Sequence, residues 1–212
     1  MPGLTDLAGL FGAAAAIATV LLALPGIARL RRAHPGPLLL AAFVAALVPQ
    51  GSLPAAGYLR GIVGDLSVTT AALLLRGLLR PAVGESAIDA RSRLALQVLV
   101  AMAGVVLYPP ALGLGPFDPY RLGYANPWFL GGLLVLALAA GLLRLTLVTW
   151  CIALAVLAWA LGAYESRNLW DYLVDPLLAA WGLCALLLRA ARVLRRRRGT
   201  KAPRAVPRAR VV

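Results

Sequence analysis

Seven apolar runs, each 17 to 22 residues long, occupy positions 7–28, 37–56, 61–80, 93–113, 127–143, 146–163 and 171–190 of this 212-residue chain. A helix of about 20 residues crosses the hydrocarbon core of a bilayer, and about 17 is still adequate. A soluble domain of this size needs far more charged surface than the 14% charged residues here, set against 61% hydrophobic ones. The expected fold is all-α: a polytopic transmembrane helical bundle of seven spans. It forms one domain over residues 1–194, with a basic tail at 195–212 that is expected to be disordered.

Charge sets the expected orientation. Arg29, Arg31 and Arg32 follow the first run, Arg76, Arg80, Arg91 and Arg93 bracket the junction of the third and fourth, and Arg144 joins the fifth to the sixth. The tail adds Arg195 to Arg198, Lys201, Arg204, Arg208 and Arg210. Lys and Arg concentrate in cytosolic loops, so these segments are expected inside and the chain runs N-out, C-in. Only Arg60, Arg121 and Arg167 fall at the opposite ends of the runs. Those ends collect Asp6, Asp65, Asp118, Glu165, Asp171 and Asp175 together with all 6 tyrosines, leaving only Glu85 and Asp89 inside. Topology does not require acids to sort this way, so the outer end invites a functional reading. The first run has no basic residues before it, which argues for a spanning helix rather than a cleaved leader.

The least regular span is the second, where Pro49-Gln50-Gly51 and Pro54 interrupt the helix. It ends at Pro49 before an outer loop, kinks, or re-enters the membrane. The fifth and sixth runs are joined so closely around Arg144 that they must form a tight antiparallel hairpin.

A net charge of +13 would elsewhere suggest nucleic acid. Here it lies in cytosolic loops and the tail, so orientation accounts for it and no nucleic-acid partner is expected. His34, the single histidine, falls in an inner loop, and Cys151 and Cys184 lie within apolar runs without a CxxC spacing. No P-loop, HExxH, GxSxG or dinucleotide fingerprint occurs, and no cofactor is expected. Gln97 and Thr146, isolated polar residues in apolar runs, are expected to hydrogen-bond locally.

Three outer segments repeat one set of side chains. The first contains Arg60 and Asp65, the second Asp118, Tyr120, Arg121 and Tyr124, and the third Glu165, Arg167, Trp170, Asp171 and Asp175. These eleven are the candidate ligand- or partner-binding residues. They either cover a shared polar pocket or pair with one another to close the end of the bundle. Asp65 falls about one turn inside the third run, with Thr69 and Arg76 expected on its helical face. An ionisable group there is costly and needs a partner, for which Arg60 or Arg167 is available. Asp171 and Asp175, at i and i+4, would project from one face of the last helix. That spacing could hold a divalent ion, or Asp171 could complement the helix dipole with Pro176 in the first turn.

The expected function is a multi-pass bacterial inner-membrane protein with a polar cap facing the periplasm. Its small size and minimal loops suggest a non-enzymatic subunit or assembly partner of an envelope system for lipid or polysaccharide synthesis or export. The expected partners are the lipid bilayer and a membrane or periplasmic protein. A small transporter or channel is the alternative, supported by the broken second span. A membrane enzyme acting on a lipid-linked or anionic substrate through Asp65, Asp171 and Asp175 is a third.

Overall fold

The structure, a computed structural model, describes residues 3–83 and 89–199. Among these, the chain is helical with no strand. The helices are α1 (Leu4–Ala23), α2 (Pro25–Ala33), α3 (Pro35–Leu47), α4 (Ala55–Val63), α5 (Val68–Val83) and α6 (Ala90–Ala111). They are followed by α7 (Pro127–Leu142), α8 (Thr146–Ala160), the single turn α9 (Trp170–Leu173) and α10 (Pro176–Gly199), with a 3-10 turn at Pro119–Gly123. Glu85 and the tail residues Lys201, Arg204, Arg208 and Arg210 lie outside the described residues. Helix α10 continues to Gly199, five residues into the stretch expected as a disordered tail.

Among the described residues, three helical stretches are long and apolar enough to cross a membrane: Thr5–Ala23, Ala90–Ala111 and Pro176–Arg196. That is fewer than the seven expected. Three further apolar helices, Pro35–Leu47, Pro127–Leu142 and Thr146–Ala160, have only 13, 16 and 15 residues. At 1.5 Å per residue they rise about 20–24 Å. The sequence windows were longer because they counted apolar residues of the connecting turns as helix.

The first half of the bundle is organised around α1. Gly12, Ala13, Ala14, Ala15 and Ala18 are all buried on it, and these small side chains let α3, α4 and α5 approach. In the second half α6 lies along α10, the most extensive helix pair in the molecule, and α8 joins α6, α7 and α5. Gly104 and Gly182 make the α6–α10 approach possible. A Cβ at Gly182 would stand 2.6 Å from Val100 Cγ2 and 2.9 Å from the Gln97 carbonyl oxygen. Buried Gln97 lies at this crossing, and its Oε1 has no hydrogen-bond partner among the described residues, contrary to the local bond expected of it.

The irregular second span resolves into α3, which ends at Leu47, and a turn in which the Gln50 N–H donates to the Leu53 carbonyl at 3.1 Å. Gly51, at φ +98°, supplies the left-handed residue that this turn needs. The short α4 then returns the chain to α1. The hairpin between α7 and α8 forms as expected, and Arg144 takes φ +57° at its tip. Leu145 N donates to Ala140 O at 2.8 Å and Arg144 N to Gly141 O at 2.9 Å, which closes the helix end without a glycine.

Contacts separate the two ends of the bundle. Arg31 Nη2 donates to the Gly77 and Leu78 carbonyls at 2.9 and 2.8 Å, so basic residues gather where α2 meets the end of α5. Asp6, Arg60, Asp65, Tyr120, Asp171 and Asp175 meet at the opposite end.

Candidate functional site

The break between α4 and α5 supplies the first wall of the site. Gly64, at φ +81°, ends α4, and α5 does not start until Val68, so Asp65 lies on non-helical backbone. The expected helical stripe of Asp65, Thr69 and Arg76 therefore does not form. Asp65 instead takes a two-pronged ion pair from Arg60, with Nε 2.5 Å from Oδ1 and Nη2 3.2 Å from Oδ2. The third prong, Nη1, reaches Asp6 at 2.9 Å. Arg60, not Arg167, is thus the partner. The pair packs directly over Gly9, where any Cβ would collide with both side chains.

The last two acids are separated by a second break. Val174 is extended (φ −147°, ψ 136°) between α9 and α10, so Asp171 and Asp175 do not share a helical face. Pro176 accounts for this, because its ring disfavours helical backbone in the residue before it. Asp175 is 6% exposed and joins two helix starts. Its Oδ1 accepts from Leu178 N at 2.8 Å, capping α10. Its Oδ2 accepts from Ser67 N at 2.9 Å, Ser67 Oγ at 2.7 Å and Thr70 Oγ1 at 2.5 Å, all at the start of α5. Unpaired N–H groups and the positive dipole end of each helix stabilise the carboxylate without a cationic side chain.

Asp171 accepts from Tyr120 Oη at 2.9 and 3.1 Å and from Ser166 Oγ at 2.5 Å. Burial, and then the hydrogen bond to Asp171, push the Tyr120 phenol well above its ordinary range. Burial likewise raises Tyr164 to about 12. Both phenols stay protonated at neutral pH and act as donors.

Asn168, fully buried, ties the loops above. Its Nδ2 donates to the Tyr120 carbonyl at 2.9 Å and its Oδ1 accepts from Trp170 N at 3.0 Å. Leu169 N donates to Gly123 O at 2.9 Å, and Gly123 has no room for a Cβ against Asn168. Tyr164 Oη reaches the Leu66 carbonyl at 2.8 Å, tying this cap to the α4–α5 break. Trp170 Nε1 bonds the Pro119 carbonyl at 3.0 Å while its ring lies 4.6 Å from Phe129.

The result is a cavity of about 360 Å³ in which polar side chains converge on apolar walls, called the polar cavity below. Its walls bring together three carboxylates (Asp65, Asp171, Asp175) and three phenols (Tyr108, Tyr120, Tyr164). Four of the expected residues therefore meet there: Asp65, Tyr120, Asp171 and Asp175. The others do not line it. Asp118 caps the 3-10 turn through Tyr120 N at 3.0 Å. Arg121, Tyr124, Glu165 and Arg167 are exposed, with Tyr124 edge-on to Tyr120 at 5.9 Å. Among the described residues no group of three or more His, Cys, Asp or Glu side chains is arranged to hold a metal ion. Asp171 and Asp175 accept hydrogen bonds from two separate sets of donors.

Sequence reasoning missed Ser67, Thr70, Ser166 and Asn168 as parts of the site. Ser and Thr beside a helix start do signal a cap, but only the tertiary fold brings them to acids some hundred residues away. No protein-family model, curated protein or solved structure matches the chain.

Proposed function

We propose that the chain is a bacterial inner-membrane protein that crosses the bilayer seven times, N-terminus outside and C-terminus inside. In this reading it is a non-enzymatic subunit or assembly partner of an envelope system for lipid or polysaccharide synthesis or export. The observation that carries the reading is the two-layered cap. Its lower layer binds its own acids internally, through Arg60, Tyr120, Ser166, Ser67 and Thr70. Its upper layer leaves Arg121, Tyr124, Trp128, Glu165 and Arg167 exposed, with Trp128 at 87%. Arg, Tyr and Trp are the side chains that contribute most at protein interfaces, and here a braced support holds them.

The seven-span topology is supported by the alternation of basic and acidic ends. Apolar side chains exposed along the helices also support it: Val20, Leu142, Trp150 and Leu188 are all more than half exposed, as lipid-facing residues would be. The short α3, α7 and α8 cross in this reading with help from apolar flanks and local thinning of the bilayer.

The test is purification from native membranes in mild detergent through a C-terminal tag, with mass spectrometry of what is retained. A stoichiometric protein partner is expected, and exchanging Arg121, Tyr124 and Arg167 for Ala should release it. Recovery of this chain alone from intact membranes contradicts the subunit reading.

A further inference from the structure

A second, larger cavity lies beside the polar one. It measures about 480 Å³ and is almost wholly apolar. It runs as a groove between α6 and α7, with Val148, Cys151 and Ile152 of α8 as its floor and Trp128 at its outer end. Val174, the extended residue between Asp171 and Asp175, lines both cavities. One face of α6 also continues through both. Leu96, Val100 and Ala103 line the groove, and Leu107 and Ala111 on the following turns line the polar cavity. From Leu96 to Ala111 that face extends about 22 Å. Each volume lies within the few-hundred-Å³ range of small-molecule sites.

Head and chain are therefore provided for side by side, and the charge of the head follows from the partners. Among the described residues Arg60 is the cation seen bonded to acids at this end, and Asp6 and Asp65 share it. Asp171 has only hydroxyl donors, and a carboxylate can accept about four bonds, so it retains capacity toward the cavity. Tyr108 also lines the cavity, and its hydroxyl makes no hydrogen bond among the described residues.

We propose that the paired cavities bind one membrane lipid, with an acyl chain in the α6–α7 groove and a protonated amine of the head held by Asp171, Asp65 and the Tyr108 hydroxyl. The proposal rests on the membrane location given above. An anionic head without an amine meets carboxylates there and is disfavoured, and a soluble amine without a chain leaves the groove unfilled.

The test uses the full chain reconstituted in bilayers of phosphatidylethanolamine or phosphatidylglycerol with identical acyl chains, then stripped stepwise with detergent. Lipid retained per protein is read by native mass spectrometry. One phosphatidylethanolamine should persist, with a preference of about tenfold over phosphatidylglycerol, the size expected of one charge-assisted hydrogen bond. Asp171→Asn should erase the preference. If that variant does not fold, Tyr108→Phe, which disturbs no existing hydrogen bond, should weaken it. Gly132→Leu projects into the groove from a glycine with nothing within 4 Å, and should reduce retention of both lipids. Equal retention of the two lipids by the unaltered chain, or full retention by Gly132→Leu, overturns the proposal. The membrane location is tested separately, by whether the chain fractionates with native membranes, so the two failures are distinguishable.

Discussion

Asp175→Ala is expected to destabilise the protein by about 3–5 kcal/mol, among the largest effects of any single polar substitution in the chain. Four donors converge on this carboxylate: Ser67 N, Ser67 Oγ, Thr70 Oγ1 and Leu178 N. A hydrogen bond to a charged group contributes about 1.5–3 kcal/mol, and the four are not additive because they share one acceptor group. The substitution also leaves the starts of α5 and α10 without their acceptor, away from water, where an unpaired donor is costly. Asp175→Asn should lose less, since the amide oxygen still accepts. Unfolding in mild detergent checks both, and a loss below about 1 kcal/mol for Asp175→Ala would mean that this carboxylate contributes little to joining the starts of α5 and α10.

Gly182→Val is expected to be at least as damaging, for a steric reason. The new Cβ meets Val100 Cγ2 at 2.6 Å, the Gln97 carbonyl oxygen at 2.9 Å and Ala101 N at 3.3 Å, and two of those three atoms are backbone. A flexible side chain could turn aside, but backbone cannot, so α6 and α10 must move apart along their whole shared length. Overpacking of a fitted core costs about 1–3 kcal/mol, and more where relief requires a helix shift. In a bilayer close packing of small residues is a main source of helix association. Little folded protein should survive extraction. Gly131→Val, whose Cβ meets nothing within 4 Å, should behave as the unaltered chain does, and equal loss from both would point to backbone propensity rather than packing.

The two substitutions mark different levels of legibility. Helix positions were readable because apolar runs bounded by Pro, Gly and Arg leave few alternatives. A gathering of Asp and Tyr side chains was readable too, in that four of the expected residues, Asp65, Tyr120, Asp171 and Asp175, line one cavity. Helix interruptions were harder to see. Gly64 breaks the third run before Asp65, yet the apolar pattern continues on both sides of it, so a period-based reading carries the helix through. At Asp171 and Asp175 the i, i+4 spacing suggested a shared face, although Pro176 already carried the signal for a break at the preceding residue. The partners themselves were not legible. Ser67 and Asp175 are 108 positions apart, and the fit of Gly182 against Gln97 depends on how two helices cross. Neither follows from local sequence.

The most direct test of the central claim, that the acid-and-tyrosine end faces outward and the arginine end inward, is a set of fusions to a reporter active only in the periplasm. Fusions near Asn126 and Ser166 should be active, and fusions at Arg144 and at the C-terminus should be silent. Activity at Arg144 with silence at Asn126 would invert the molecule. The polar cavity and the exposed Arg121, Tyr124 and Arg167 would then face the cytosol, contradicting the proposed envelope role.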